Sequence, residues 1–252
     1  MGVSVTQRIS QITQPRGGYL NPKELDQVQL PIKNDLKEEN LHPSLIGLAV
    51  DYLTRFSLTN NAEGSFKISL LGAELGGFSK QAKGLLKNIK LPLGSDAVIS
   101  ATRLCGYDVI YRAGTKGYKP VEDILPDNNT IENILEMVRR SLDFFAKHGP
   151  ITCDGFTFGK TGYTSTVNHG DGDFLTKDTL WDFKVSAKDP TKNQTLQLLM
   201  YWIMGQHSRK PEFDGITKIG IYNPRLNKVF TYDLSNLKDD TIKKIEDEVI
   251  CY

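Results

Sequence analysis

Two short apolar runs in the second half of the chain carry acidic residues and a lysine at regular spacing. Residues 170–175 read GDGDFL and residues 180–184 read LWDFK, with a polar segment between them. This arrangement predicts a β-hairpin with a tight turn. Because side chains alternate along a strand, Asp182 and Lys184 share one face and Phe183 lies on the other.

Two carboxylates and an ammonium at the mouth of one hairpin suit a divalent cation with an activated water. The carboxylates are those of Asp173 and Asp182, and the ammonium is that of Lys184. Hard oxygen ligands hold Mg²⁺, which normally keeps several waters. The lysine can orient or deprotonate such a water, or offset charge on a phosphate. Asp171 competes with Asp173 as a ligand, since residues two apart share a strand face.

A polar stripe is predicted on the helix that follows the hairpin. Asp189, followed by proline, is the expected N-cap. Gln194, Gln197 and Tyr201 then fall three and four residues apart, which places them on one side of the helix. An amide and a phenol there can hold a phosphate or the waters of a metal. The alternative is that Tyr201 belongs to the core with its hydroxyl in water.

Taken in order, these residues resemble the PD-(D/E)xK nuclease superfamily, most closely its RecB-like branch. The pattern of that branch is G-x-x-D, then D/E-x-K on the next strand, then Q-x-x-x-Y on the following helix. The three matching parts here are Gly170-x-x-Asp173, Asp182-Phe183-Lys184 and Gln197-x-x-x-Tyr201. The resemblance covers about residues 150–232.

The resemblance implies an α/β fold with a restriction-endonuclease-like mixed central sheet flanked by helices. It further implies metal-dependent hydrolysis of phosphodiester bonds in nucleic acid, with DNA as the expected substrate. Asp173, Asp182 and the main-chain carbonyl of Phe183 would hold Mg²⁺, or alternatively Mn²⁺. Lys184 would position the attacking water, with Gln197 and Tyr201 as further catalytic residues.

Asp51 is a further candidate ligand, because in the resembled family the first core helix often brings an acidic residue to the metal. The predicted helix begins near Pro43 and runs to about Phe56. The competing interpretation, which we favour, is an ion pair between Asp51 and Arg55 on one helix face, worth a few tenths of a kcal/mol.

Two other functions fit the same residues. A nuclease fold without activity could bind nucleic acid or serve in an assembly, although intact acid and lysine positions argue against an idle site. A metal-dependent hydrolase of small phosphate esters would use the same acids. An open basic groove beside the acids would favour the nuclease, and a closed small pocket the ester hydrolase.

The chain carries no global basic signature. Its 252 residues have a formal net charge of +1, so contacts to nucleic acid must come from a local patch. One basic helix is predicted over residues 79–89, with a cluster of lysines at Lys80, Lys83, Lys87 and Lys90. These lysines could contact phosphates, but a solvated helix face is the simpler interpretation.

Cysteine content and hydropathy indicate the environment of the protein. Cys105, Cys153 and Cys251 are far apart and odd in number, which fits a reducing compartment and predicts a cytoplasmic protein. No run reaches the length of a membrane span, so no membrane association is expected.

The domain prediction rests on composition and periodicity. Residues 1–42 are polar and broken by proline and glycine, which predicts an extended N-terminal arm. Residues 43–252 are predicted to form a single nuclease-like domain, with a largely helical insertion over about 60–150 and a core over about 150–232. Asn129 is the expected N-cap of a long helix, and residues 163–167 are expected to form a strand.

Overall fold

The computed structural model describes residues 2–252, and the chain folds into two compact units. One unit combines the residues up to Leu30 with Phe145–Tyr252, and the other is Pro31–Phe144. The division therefore falls at Leu30 and Phe144 rather than at residue 42.

Six of the strands build one mixed sheet, in the order β2-β8-β7-β6-β5-β3. In chain order the strands are β1 (Val3–Ser4), β2 (Asp26–Gln29), β3 (Cys153–Phe156), β4 (Val167–His169), β5 (Gly172–Leu175), β6 (Thr179–Phe183), β7 (Lys218–Asn223) and β8 (Lys228–Asp233). Strands β6 and β7 run parallel, and the other neighbours in this sheet are antiparallel. Strands β1 and β4 form a separate parallel pair.

The helices flank the sheet in the first unit and make up the second. In chain order they are α1 (Val5–Gln11), α2 (Pro43–Thr59), α3 (Ala62–Ser65), α4 (Lys67–Leu75), α5 (Ser79–Leu86), α6 (Ser95–Cys105), α7 (Asp108–Ala113), α8 (Asn128–His148), α9 (Gly159–Gly162), α10 (Lys192–Ser208) and α11 (Asp239–Lys244). A π-helical turn, Ile245–Ile250, continues α11. The prediction of an α/β fold with a mixed sheet and flanking helices is confirmed. None of the helices described for residues 2–252 is long and apolar enough to cross a membrane.

Helix α10 connects the parallel strands β6 and β7 and supplies much of the core of the first unit. Parallel strands need such a crossover because a tight turn cannot join them. The helix buries apolar side chains on most sides, so the core holds Leu196, Leu199, Met200 and Ile203 together with sheet residues such as Ile219. This packing fixes the polar residues of α10 relative to β6.

The start of α10 differs from the prediction. Thr191 is the N-cap and forms a reciprocal capping box with Gln194, whose side-chain oxygen accepts a hydrogen bond from the Thr191 amide at 2.8 Å. Asp189 instead pairs with Lys228 at 3.0 Å. The helix therefore begins later than expected. The side chain of Gln194 is used in the capping box with Thr191.

The N-terminal segment is not simply an extended arm. Val5–Gln11 is helical, with a capping box at Ser4, and Asp26–Gln29 adds the edge strand β2 beside β8. The strand expected over residues 163–167 is also absent. Thr164 and Val167 close a turn there, and the strand that follows is Val167–His169.

The second unit is helical and is organised around a buried acid. Asp108 accepts hydrogen bonds from the hydroxyls of Tyr52, at 2.6 Å, and Ser69, at 2.5 Å. Burial raises the pKa of Asp108, and the bonds from Ser69 and Tyr52 oppose the rise. Helices α2, α4 and α7 are thereby tied together. At the start of α8, Asp127 rather than Asn129 caps the helix, by accepting from the Thr130 amide at 2.7 Å.

The tightest backbone position near the hairpin is Gly172. It lies opposite Phe156 across the β3–β5 pair, and a Cβ there would come within 1.9 Å of the Phe156 ring. We expect Gly172→Ala to lower the free energy of unfolding by about 1–3 kcal/mol, because the ring must move out of a packed core. Urea unfolding would measure this. Gly94→Ala is the matched control, since a Cβ at Gly94 meets no atom within 4 Å. Equal stability of both variants would contradict the prediction.

Candidate functional site

The pairing of β5 with β6 places the two predicted acids directly opposite one another. Phe174 pairs with Trp181 and Leu175 with Leu180, so Asp173 faces Asp182 in the same antiparallel register. Directly opposed side chains share one face of the sheet, with Cβ atoms about 4.5–5.5 Å apart. The two carboxylates therefore meet on one face of the hairpin.

Aromatic packing on the other face holds this register. The rings of Phe174 and Trp181 stack at 6.2 Å between centroids, and the Trp181 indole donates to the Thr176 hydroxyl at 3.0 Å. A shift of one residue would turn these rings to the acid face and the carboxylates to the core. The apolar face thus determines where the acids lie.

The carboxylate of Asp173 is oriented by the main chain of the neighbouring strand. Its Oδ2 accepts a hydrogen bond from the Phe183 amide at 2.6 Å. The β3–β5 register places Gly155 on the other side of Asp173, where an added Cβ would meet nothing within 4 Å. Gly155 therefore places no side chain beside Asp173.

Asp182 is the most buried member of the site, with 3% of its surface exposed. Burial raises its pKa, to about 6; the Lys184 charge opposes the rise and the Asp173 charge adds to it. Its Oδ2 is buried and accepts no hydrogen bond from the described residues, although the Lys184 ammonium lies 3.0 Å away. The Lys184 ammonium is thus the group that compensates the charge of this buried oxygen.

Lys184 lies just beyond the last residue of β6. Its amide donates to the Tyr222 carbonyl at 3.0 Å, so β7 fixes the backbone from which the side chain leaves. The side chain is 30% exposed, which places the ammonium between the Asp182 carboxylate and solvent. It is thus positioned both to offset the buried charge and to contact a molecule that approaches from outside.

Helix α10 brings Gln197 and Tyr201 to the acids. The Gln197 side-chain amide donates to the Tyr201 hydroxyl at 2.8 Å. Tyr201 is buried, which raises its pKa; the bond from Gln197 opposes this, and the charges of Asp182, Asp173 and Asp171 raise the pKa further. The hydroxyl therefore lies within electrostatic reach of the acids. Since it accepts from Gln197, its own proton is free to be donated elsewhere.

Two other candidate acids have different surroundings. Asp171 is exposed and precedes the first residue of β5, so it does not face Asp182 across the strand pair as Asp173 does. Asp51 belongs to the second unit, where its carboxylate accepts from the Arg55 guanidinium at 2.8 Å. The ion pair that its spacing indicates is therefore present.

One polar group near the site was missed from the sequence. Gln14 is buried and donates to the Asn193 side-chain oxygen at 2.7 Å. Asn193 lies four residues before Gln197, so it extends the polar stripe of α10 by one turn. The spacing of Asn193, Gln197 and Tyr201 was visible in the sequence. The partner Gln14 was not, because its segment was predicted to be an extended arm.

Comparison of the chain with family models, curated proteins and solved structures gives no match. The site must therefore be judged on its own geometry. Within residues 2–252 no group of three or more His, Cys, Asp or Glu side chains is placed to hold a metal ion. The side-chain ligands that the hairpin offers are the two opposed carboxylates.

The raised pKa of Asp182 predicts a pH-dependent stability in metal-free protein. Because the folded pKa is about 6 against an ordinary 3.8, the stability that Asp182 contributes is complete below about pH 4 and is lost as the pH rises through 6. The loss is on the order of 3 kcal/mol. We expect Asp182→Asn to remove this decline, so that the variant unfolds at the same or higher urea concentration near neutral pH in the presence of EDTA.

Asp178, in the turn of the same hairpin, is a control because its pKa is shifted in the opposite direction from that of Asp182. The Thr179 hydroxyl, followed by the Lys218 charge, holds the pKa of Asp178 below its ordinary value. Asp178→Asn should therefore remove a loss of stability that occurs as the pH falls. If wild type and Asp182→Asn lose stability in parallel from pH 4 to pH 7, Asp182 is not the group that titrates.

Proposed function

We propose that the protein is a metal-dependent nuclease of the PD-(D/E)xK superfamily that hydrolyses phosphodiester bonds, with DNA as its expected substrate. The observation that carries the proposal is the direct opposition of Asp173 and Asp182, with the Lys184 ammonium 3.0 Å from Asp182. The mixed six-stranded sheet with flanking helices supports a restriction-endonuclease-like core.

The donor set suits a hard divalent cation such as Mg²⁺ or Mn²⁺. Asp182 is buried with the Lys184 ammonium 3.0 Å from its Oδ2, and a buried carboxylate is costly unless its charge is compensated, which a bound cation would do further. Asp173 would supply the second carboxylate. The Phe183 amide points to Asp173, and the amide and carbonyl of one strand residue point to the same side, so the Phe183 carbonyl would be the third donor. Water completes the coordination that Mg²⁺ prefers.

When bound, such a cation polarises a phosphoryl oxygen and lowers the pKa of a bound water. The residues of the chain supply the remaining functions. Lys184 orients the attacking water and offsets charge that develops on the phosphate. Its pairing with Asp182 keeps the ammonium at the acid face before the substrate arrives.

The Gln197–Tyr201 pair serves to place the phosphate. The Tyr201 hydroxyl, held by Gln197 at 2.8 Å, donates its proton to a phosphate oxygen or a bound water. Because the ring of Tyr201 is buried against Phe156 and Phe158, the hydroxyl is held in one position. Such preorganised donors stabilise charge without reorganisation during the reaction.

Replacement of the lysine tests the proposal directly. We expect Lys184→Ala to reduce Mg²⁺-dependent cleavage of linear, circular and single-stranded DNA by at least about a hundredfold, in line with the loss of one oriented charge at a reacting phosphate. Asp182→Asn should abolish cleavage.

Lys218 supplies a matched control. It pairs with Asp178 at 3.1 Å, as Lys184 pairs with Asp182, but it lies at the opposite end of the parallel β6–β7 pair. Lys218→Ala should cleave at the wild-type rate. Full activity of Asp182→Asn in Mg²⁺ would refute the proposed chemistry, and equal losses in both lysine variants would assign the effect to folding.

Conservative changes on α10 separate hydrogen bonding from packing. Tyr201→Phe removes only the hydroxyl, so we expect slower cleavage, by roughly ten- to a hundredfold, with little change in melting temperature. Gln197→Ala should behave in the same way, because Gln197 orients that hydroxyl. Single-turnover cleavage and thermal unfolding would be measured side by side. If Tyr201→Phe cleaves at the wild-type rate while Tyr201→Ala unfolds, Tyr201 is a core residue and the RecB-like part of the assignment fails.

A further inference from the structure

Helix α5 in the second unit presents a face of lysines to solvent. Lys80, Lys83 and Lys87, the last at the C-cap, fall within one arc of the helix at 100° per residue. All three are exposed. Ala82 on the opposite side is fully buried, so the helix is anchored by its other face.

The lysines of this face form no ion pair within residues 2–252, although Glu122 contacts Gln81 of the same helix and Asp96 lies near Lys90. Residues 75–95 contain four lysines, the fourth being Lys90, and no aspartate or glutamate, in a chain whose net charge is +1. Among the residues that the structure describes, none of these lysines forms an ion pair, whereas Lys37, Lys210, Lys218 and Lys228 each do. The charge is therefore available to an external anion.

Gly84 lies in the middle of α5 along the chain and at the edge of the lysine face. A glycine in a helix interior costs about 1 kcal/mol relative to alanine. Close packing often explains such a residue, but a Cβ at Gly84 would meet nothing within 4 Å. Packing inside the protein does not require it. A bare backbone between lysines instead permits an extended ligand to approach the helix closely.

A groove of about 400 Å³ adjoins the end of the helix. It is lined by Asn88, Lys90, Asp96, Ile99, Ser100 and Arg103. The Arg103 guanidinium is held by donation to the Ile124 carbonyl at 3.2 Å. The groove thus continues the lysine face with amide, hydroxyl and guanidinium donors, and Asp96 is the one carboxylate in its lining.

We propose that Lys80, Lys83, Gly84, Lys87 and Lys90, here called the α5 face, bind the sugar–phosphate backbone of nucleic acid. The choice of nucleic acid as the polyanion rests on the proposed function. Leu91, next to Lys90, is 45% exposed, and anionic lipid binds basic surfaces that carry apolar side chains, so a lipid surface is kept as an outcome of the test below. Binding is independent of base sequence, because ammonium groups contact phosphates rather than base edges.

The test is equilibrium binding of a labelled oligonucleotide to the whole protein in EDTA, so that cleavage plays no part. Lys83→Gln/Lys87→Gln should weaken binding about tenfold or more near 0.1 M salt and lower the salt slope, the change in log K with log salt, by about 1.4–1.8. Lys243→Gln/Lys244→Gln is the control: it removes the same charge from exposed positions on α11 and should retain nearly wild-type binding.

Variants at Gly84 provide a second test, in which Gly84→Ala is expected to increase stability and to weaken binding. Gly84→Ala should raise the melting temperature, since the helix gains propensity without a clash, yet weaken binding. Gly84→Leu should weaken binding more strongly. If both variants bind as wild type does, close approach to the helix is not used and the inference is overturned.

The outcomes separate this surface from the proposed chemistry. Binding that depends on the α5 face without any Mg²⁺-dependent cleavage would uphold the surface and overturn the nuclease. If the protein cleaves DNA but the double lysine variant binds as wild type does, the nuclease proposal is upheld and the α5 face is overturned as a binding surface. Single-stranded DNA, duplex DNA and RNA arms identify the backbone that is recognised. If vesicles of anionic lipid bind and displace DNA, or if no nucleic acid binds wild type, the nucleic-acid assignment fails.

Discussion

The candidate site in the first unit is built around two carboxylates that are held opposite one another. Asp173 and Asp182 face each other across β5 and β6, an arrangement of like charges that is unfavourable by itself. The hairpin tolerates it because its other face is apolar and stacked, and because the Phe183 amide and the Lys184 ammonium each contact one of the acids. A site that concentrates negative charge in this way is suited to accept a cation, which is the physical basis of the proposed metal site.

The same constraint explains why the sheet is mixed. Antiparallel pairing of β5 with β6 sets the acids face to face, whereas the parallel step from β6 to β7 requires the α10 crossover. That crossover returns a helix over the strand that carries Asp182 and Lys184, so Gln197 and Tyr201 reach the acids without a long loop. The catalytic candidates therefore lie on regular elements, with Lys184 one residue beyond β6, and such elements hold side chains more accurately than a loop does.

Secondary structure could be predicted from the sequence where a strong local pattern coincided with burial. The hairpin, α10, and strands β7 and β8 have periodic apolar residues that pack in the core, and their existence and approximate limits follow from that pattern. Helix starts were less predictable, because several polar residues compete for a cap. Thr191 is the N-cap of α10 in place of Asp189, and the Asp189 carboxylate forms an ion pair with Lys228. Strand β2 escaped prediction for another reason: all four of its residues are exposed, so pairing with β8, and not a buried face, makes it a strand.

Charge at the acid site and charge on α5 have different physical roles. The Lys184 ammonium already lies beside Asp182, so contact with a phosphate must compete with an existing ion pair and adds little net affinity for the ground state. The α5 lysines have no such partner among the described residues, and their contact with a polyanion releases counterions without breaking a pair. If the proposals hold, affinity drawn from groups that do not contact the reacting phosphate would leave the site free to interact most strongly with the transition state. The proposed cleavage of a polyanion by a chain of almost neutral charge would thus use an acidic centre paired with one lysine and a separate set of lysines without ion pairs.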